Sequence, residues 1–518
     1  MRIQGIQSVP WTFFLLLFLP ISGYMCAQAT HSDNGDGTYT NPVIAADFPD
    51  PDVIRVDDTY YMVTTTMFVF PGVTVLKSND LVNWEYCSNA VPKFDFSPCY
   101  DLDGCHRYSH GQWATSIKFH NGTFYLLFIT LDEGGFICSS KNPEGPWEIR
   151  QLPRGFYDPG LFFDEDGRIY VAHGYGEISI TELNPDFSPR GEDVLVFTGD
   201  IRGGLEGSHV YRINGYYYLY STYGGRDGIQ VALRSRDIYG PYEQKVVISE
   251  STPGVNFGIH QGALVETPTG EWWTILFVDS GPFGRFPSLQ PVSWVDDWPM
   301  VGVDGKAVVT FRKPDVGRTF PITDLPTSDE FDGITLGMQW GWNHNPDPDH
   351  WSLTERPGFL RLITGKVVPG LREARNTLTQ RPFARHDQEI PTLGTTELQV
   401  NHMKDGDVAG LAVFQDPYAY IAVMQVDGSR QLVMVNNGEP VASVPVKGNP
   451  VYLRTIASNR TGKARFEYSF DNHTFTPLGN ELSMRFNLSV FTGNKFCLFN
   501  YATQETGGYV DFNWFRVK

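Results

Sequence analysis

Three short acidic motifs stand out for the chemistry they could do. They are "FPDPDVIR", "FYDPGLFF" and "GGLEGSHV", which carry Asp50, Asp158 and Glu206. Each acid precedes the second residue of a tight turn, at Asp58, Gly167 and Gly215, by eight or nine residues. Trp113 and His260 hold similar places, nine residues before Gly122 and ten before Gly270. Carboxylates in this number suit acid–base work. One ionised group activates water, a second stays protonated to assist a leaving group, and the charge of a third raises the pKa of that acid. Two carboxyls across a sugar-sized gap are the equipment of glycoside hydrolysis. An isolated Asp-Pro is more often a turn or cap, so only a common location would make these acids a site. Asp47 and Asp52, beside Asp50, read as strand-entrance structure.

The elements that must position them are hairpins. Five segments share an apolar alternating run, a two-residue turn and a second run rich in aromatics. The turns are Asp57-Asp58, Asn121-Gly122, Asp166-Gly167, Asn214-Gly215 and Thr269-Gly270. Asn-Gly and Asp-Gly between such runs are strong hairpin signals. The unit recurs at intervals of about 45 to 65 residues, enough for one four-stranded sheet with variable loops. The expected fold class is all-β: a five-bladed β-propeller over residues 38–312, followed by a β-sandwich domain. Innermost strands of successive blades would then place the five equivalent positions on one ring. A β-sandwich with several hairpins is the rival; it explains the hairpins but not their similar flanks. Residues 313–327 read as a linker, and alternation in "DVAGLAVFQ", "AYIAVMQV" and "QLVMVNN" predicts antiparallel strands in a sandwich over 328–518.

Composition is that of an ordered globular protein, 41% hydrophobic and 14% aromatic, and its 52 Gly and 35 Pro suit a turn-rich β fold. A formal charge of −19 argues against nucleic acid and anionic membranes as partners. Residues 1–29, with Arg2, the run "WTFFLLLFLPISG" and "AQA", read as a signal peptide removed near Thr30. Export to the periplasm or beyond is the expectation, with Cys26 as an alternative lipidation site. Of the other five cysteines, Cys99 and Cys105 are close enough to pair; five free thiols are the alternative.

The motifs "NPVIAADFPDPDVIR", "FPGVTVLKSNDLVNWE", "YDPGLFFDEDGRIY", "GGLEGSHVYRINGYYYL" and "GIHQGALVETPTGEWW" together resemble family 43 glycoside hydrolases, inverting enzymes on a five-bladed propeller. The resemblance implies that Asp50 is the general base, that Asp158 orients the acid and tunes its pKa, and that Glu206 is the general acid. It implies a calcium or similar ion near His260, and an Arg285 that reaches sugar hydroxyls. Trp113 and Phe68 would supply apolar walls, core packing being the alternative for both. Where many β-xylosidases of this architecture read "FEWFPGV", this chain has "MFVFPGV", and "CYDLDGCHRYSHGQWA" is more like the α-L-arabinofuranosidase branch. From "SDEFDGITLGMQW" onward the chain resembles the concanavalin-like C-terminal domain of β-xylosidases, in which a loop narrows the active site. The implied activity is exo-hydrolysis of terminal α-L-arabinofuranosyl residues from plant hemicellulose oligosaccharides such as those of xyloglucan or arabinoxylan. β-Xylosidase is the alternative with the same residues, and a non-catalytic glycan-binding protein is the remote one.

Overall fold

The computed structural model describes residues 29–200, 204–249, 258–384 and 390–518. The signal-peptide reading and Cys26 fall outside them. Among the described residues there is no α-helix, only strands and four short 3₁₀ turns.

Five four-stranded antiparallel sheets form among these residues, each in simple sequential order. Blade 1 runs through Asp52–Val56, Thr59–Thr64, Gly72–Ser78 and Trp84–Val91. The innermost strands of blades 2 to 5 are Ser116–His120, Gly160–Phe163, Leu205–Ile213 and Ile259–Glu266. Each inner strand touches the next, and the last touches the first, so the sheets close into a ring. The five-bladed propeller expected from the repeat is therefore the fold. Its turns carry the predicted chemistry. Asn121 and Gly122 have φ of 48° and 72°, and Asn214 and Gly215 have 51° and 75°, as a two-residue hairpin requires.

The ring is fastened where the chain enters and leaves it. Thr38–Thr40 pairs with Thr310–Arg312, and the Asn41 amide donates to the carbonyls of Leu289 and Val308 at 2.8 and 2.9 Å. Residues 313–327 carry no strand but lie bound to the propeller. Lys313 reaches Asp33 at 2.6 Å, and the Thr323 N–H donates to Asn83.

The second unit is the sandwich. One eight-stranded sheet contains Asp407–Phe414, Ala419–Val426 and Lys495–Ala502; the other contains Thr392–His402, Val451–Ser458 and Tyr509–Val517. Along Thr392–His402 buried and half-buried residues alternate, as a strand with one covered face requires. Asp407–Phe414 is buried at every position because both its faces are covered. Ala409, Leu411 and Val413 point into the sandwich core. Val408, Ala412 and Phe414 point the other way, into a cluster with Met67, Phe68, Val69 and Tyr108 of the propeller. The first sheet even takes its last strand from the propeller, because Val69–Phe70 pairs with Trp342–Asn343. The two domains thus share a core and a sheet.

A disulfide joins Cys99 and Cys105 in the loop between blades 1 and 2. That loop docks on the sandwich: the Asn345 N–H donates to the Tyr100 carbonyl at 2.8 Å, and Asp101 pairs with Arg375 at 3.0 Å. Cys87, Cys138 and Cys497 are free and buried.

Candidate active site

The backbone departs from regular strand geometry where the ring positions of the acids and of His260 fall, at or just before the inner strands. Asp50 and Asp158 adopt left-handed backbone at φ of 54° and 47°, a conformation that Asp tolerates better than most residues. Blades 4 and 5 reach a similar result with irregular strand pairing between Glu206 and His209 and between His260 and Gly262. Gly207 and Gln261 there have φ of 63° and 50°. Non-regular backbone recurs at one end of the blades, and it turns side chains out of the β pleat toward the axis.

Asp50, Asp158 and Glu206 come together at that end. Asp50 Oδ1 accepts from Arg285 Nη1 at 2.8 Å, and Oδ2 accepts from Thr65 Oγ1 at 2.6 Å. Asp158 accepts the backbone N–H of Gly207, beside Glu206. Glu206 Oε2 accepts from the Tyr157 hydroxyl at 3.1 Å, and a side chain at Gly224 would occupy the place of Oε1. Burial pushes the Glu206 carboxyl up to about 7; the Tyr157 hydroxyl opposes that, the Asp50 charge adds to it, and Arg285 opposes it. Asp158 is also pushed well above the usual carboxylate range, by burial first and then by the charges of Glu206 and Asp50. Three ionised carboxylates beside one guanidinium would leave two net negative charges in one pocket, which burial opposes, so the upward shifts of Glu206 and Asp158 favour a site that keeps a proton near neutral pH.

Arg285 forms a buried ion pair with Asp50, its guanidinium 4.9 Å from the Phe491 ring centroid and 5.4 Å from that of Phe277. Its Nε and Nη2 find no partner among the described residues, so two buried donors remain for a ligand. His260 is 2% exposed, lies 4.6 Å from Phe277 between centroids, and is 3.7 Å from Asp279 Oδ2. Neither of its ring nitrogens has a hydrogen-bond partner among the described residues. No group of three ligating side chains occurs among those residues.

Trp113 remains half-buried beside the acids, its ring 5.9 Å from Tyr157 and 5.2 Å from Phe491. Phe68 does not join them. It is 1% exposed, and its ring packs 4.7 Å from Tyr108 and 5.2 Å from His344 in the joint between the domains. The expected pocket wall is instead interdomain core, because the strand that follows it was recruited into the sandwich sheet. His344 is held there too. Burial keeps it neutral, so Nε2 accepts the Arg107 N–H at 2.8 Å.

Sequence reasoning did not mark Thr65, which donates to Asp50, nor two aromatic residues at the site. Tyr157 adjoins Asp158 in "YDPG", so the motif contained it without marking it. Phe491 lies in the sandwich, in "NLSVFTGNK", and nothing local distinguishes it from a core aromatic. A cavity of about 410 Å³ opens elsewhere on the axis, lined by Arg55, Lys118, Arg212 and Trp272. It holds none of the three acids and lies toward the turn end of the inner strands.

A propeller with three clustered carboxylates and an arginine at one mouth, beside an aromatic from a second β domain, has the equipment of a glycoside hydrolase. The model of glycosyl hydrolases family 43 matches residues 39–299, and that of the β-xylosidase C-terminal concanavalin A-like domain matches residues 328–518. The chain belongs to glycosyl hydrolases family 43. It is 36% identical to a β-xylosidase of Formosa agariphila, over 93% of this chain and 90% of that one. It is 34% identical to the non-reducing end α-L-arabinofuranosidase BoGH43B of Bacteroides ovatus, over 63% of this chain and 65% of that one. Among solved structures, a bifunctional GH43-CE protein of Bacteroides eggerthii superposes with a TM-score of 0.86 at 37% identity. That match covers 95% of this chain and 64% of that one.

Proposed function

We propose that this glycosidase is an exported exo-enzyme that removes α-L-arabinofuranosyl groups from non-reducing ends of hemicellulose side chains, with inversion. The observation that carries the reading is the pair of opposed carboxyl environments. Asp50 is held by Arg285 and Thr65, which suits an ionised base that draws a proton from water. Glu206, raised to about 7, suits an acid that protonates the departing oxygen. Asp158 holds the Gly207 N–H beside it and so sets where the acid points. The two unpartnered donors of Arg285 would meet sugar hydroxyls, and Trp113 with Phe491 would line the terminal sugar.

His260 fits a hydrated ion of the calcium type. Its ring nitrogens have no hydrogen-bond partner among the described residues and would meet a water of the ion's shell, while a hard cation would take its oxygen ligands from such waters and from Asp279. When bound, such an ion supplies positive charge to a pocket of carboxylates. The disulfide Cys99–Cys105 supports an oxidising compartment, in line with the signal-peptide reading.

Arabinose is favoured by "CYDLDGCHRYSHGQWA", which is more like the arabinofuranosidase branch, and by the similarity to the arabinofuranosidase of B. ovatus; "MFVFPGV" packs in the joint between the domains and carries no weight here. A second reading, β-xylosidase, is favoured by the relative from F. agariphila, which matches along nearly the whole chain. Comparing kcat/KM on 4-nitrophenyl α-L-arabinofuranoside and β-D-xyloside separates them. The proposal expects arabinose release to dominate; dominant xylose release replaces it with the second reading. The anomer formed first, followed by NMR, tests inversion.

A further inference from the structure

Asp47 precedes the base by three residues, and an aspartate there explains itself in sequence as a strand-entrance residue. Its surroundings are different. It is 3% exposed, and its two carboxylate oxygens serve two different domains. Oδ1 accepts the backbone N–H of Arg285 at 3.0 Å. Oδ2 accepts the backbone N–H of Gly493 at 2.8 Å. The first bond fixes the start of the strand whose side chain binds Asp50. The second fixes the sandwich loop that projects Phe491 between Trp113 and Arg285.

The neighbourhood is built to keep this carboxylate. Lys495, 5% exposed, stands 3.6 Å from Oδ2, and Arg381 Nε donates to the Asp47 carbonyl at 2.7 Å. Gly284 and Gly493 leave no room for side chains: one would overlap the Asp47 carboxylate, the other the Phe283 carbonyl. Asn494 adds bonds from its backbone N–H and its amide to the Pro282 carbonyl at 2.9 and 2.7 Å. Phe491 itself has φ of 59°, an unfavourable state for a bulky residue that its surroundings must hold in place.

We infer that Asp47 is a positioning residue for hydrolysis: one carboxylate couples the sandwich loop bearing Phe491 to the strand bearing Arg285, and so sets the pocket wall and the guanidinium together. The inference rests on the glycosidase reading of this site, but its structural half can be tested without it. Replacement by Asn keeps the shape yet offers one acceptor oxygen where two N–H groups need one each.

The test uses the full chain and the variants Asp47→Asn, Phe491→Ala and the double. Hydrogen exchange, read by mass spectrometry, should show faster exchange in Asp47→Asn at peptides covering 283–287 and 490–495, with the outer blade strands unchanged. On the better of the two aryl glycosides, kcat/KM should fall at least fivefold. The double variant should lose clearly less than the product of the two single losses, because both act through the same wall. Unchanged exchange at both peptides overturns the inference whatever the activity. So does a loss under fivefold, or full multiplicativity of the two variants. A wild type inactive on both glycosides would sink the glycosidase reading instead, leaving the exchange result to decide the joint. Should Asp47→Asn not fold, Asp47→Glu keeps the charge and both acceptor oxygens but displaces them by one methylene from the Arg285 and Gly493 N–H groups. Faster exchange at the two peptides supports the inference there as well, and wild-type exchange overturns it.

Discussion

Replacing Tyr157 with Phe removes one hydroxyl from the carboxyl assigned as the acid and leaves the ring between Trp113 and Tyr175 in place. The hydroxyl donates to Glu206 Oε2 at 3.1 Å, so it favours the ionised form. Its loss must raise the carboxyl further, since burial and the Asp50 charge continue to act. A hydrogen bond to a charged group contributes about 1.5–3 kcal/mol. At 3.1 Å this one is long for an O–H donor, which places it at the lower end. At 1.36 kcal/mol per pKa unit that is a rise of about one unit, from about 7 to about 8. The assay is kcat/KM against pH on an unactivated arabino-oligosaccharide, where protonation of the leaving group matters, with the 4-nitrophenyl glycoside as control. The free-enzyme profile reports the acid through its basic limb. That limb should move up by about one unit on the poor leaving group, so that near pH 8 the variant's rate relative to its own acid plateau is about fivefold above wild type. On the activated substrate the limb should be shallow in both. A folded variant whose basic limb stays put or moves down refutes the assignment of Glu206 as the proton donor.

Three further outcomes follow from the same geometry. Glu206→Gln should abolish turnover of the oligosaccharide while stabilising the protein at alkaline pH. Its folded pKa lies above the unfolded value near 4.5, so ionised Glu206 opposes folding progressively as pH rises from 4.5 to about 7, by about 3 kcal/mol above that; thermal melts should separate near pH 8 and coincide near pH 4, and coincidence at both would count against the shift. Arg285→Met strands the Asp50 carboxylate in a buried site, a loss of about 3–5 kcal/mol when a buried pair is broken; kcat/KM should fall over a hundredfold with a lowered melting temperature, and near-wild-type activity would remove Arg285 from the site. Dialysis of the wild type against a chelator should lower both the melting temperature and kcat, with calcium restoring them, if His260 holds an ion; full activity in metal-free protein by elemental analysis would reject that ion.

What could be read from the chain was local or periodic. Asn121-Gly122 and Asn214-Gly215 dictate their turns through φ preferences, and the alternation between turns dictates which faces are buried. Because the five copies hold these positions eight to ten residues before their turns, the placing of Asp50, Asp158 and Glu206 on a common ring followed from counting back along each strand. The same counting had nothing to say about Phe68, whose place depends on whether Val69–Phe70 ends in its own blade or in the sandwich sheet. Nor did it mark Tyr157 as the partner of Glu206, 49 residues away. Asp47 shows the limit most plainly, since its carboxylate meets Arg285 at a separation of 238 residues and Gly493 at 446. Turn geometry and strand period are short-range properties that a sequence displays directly. Which buried donor finds which carboxylate across two domains is decided only when the packed cores fix the distances, and there the tertiary structure alone speaks.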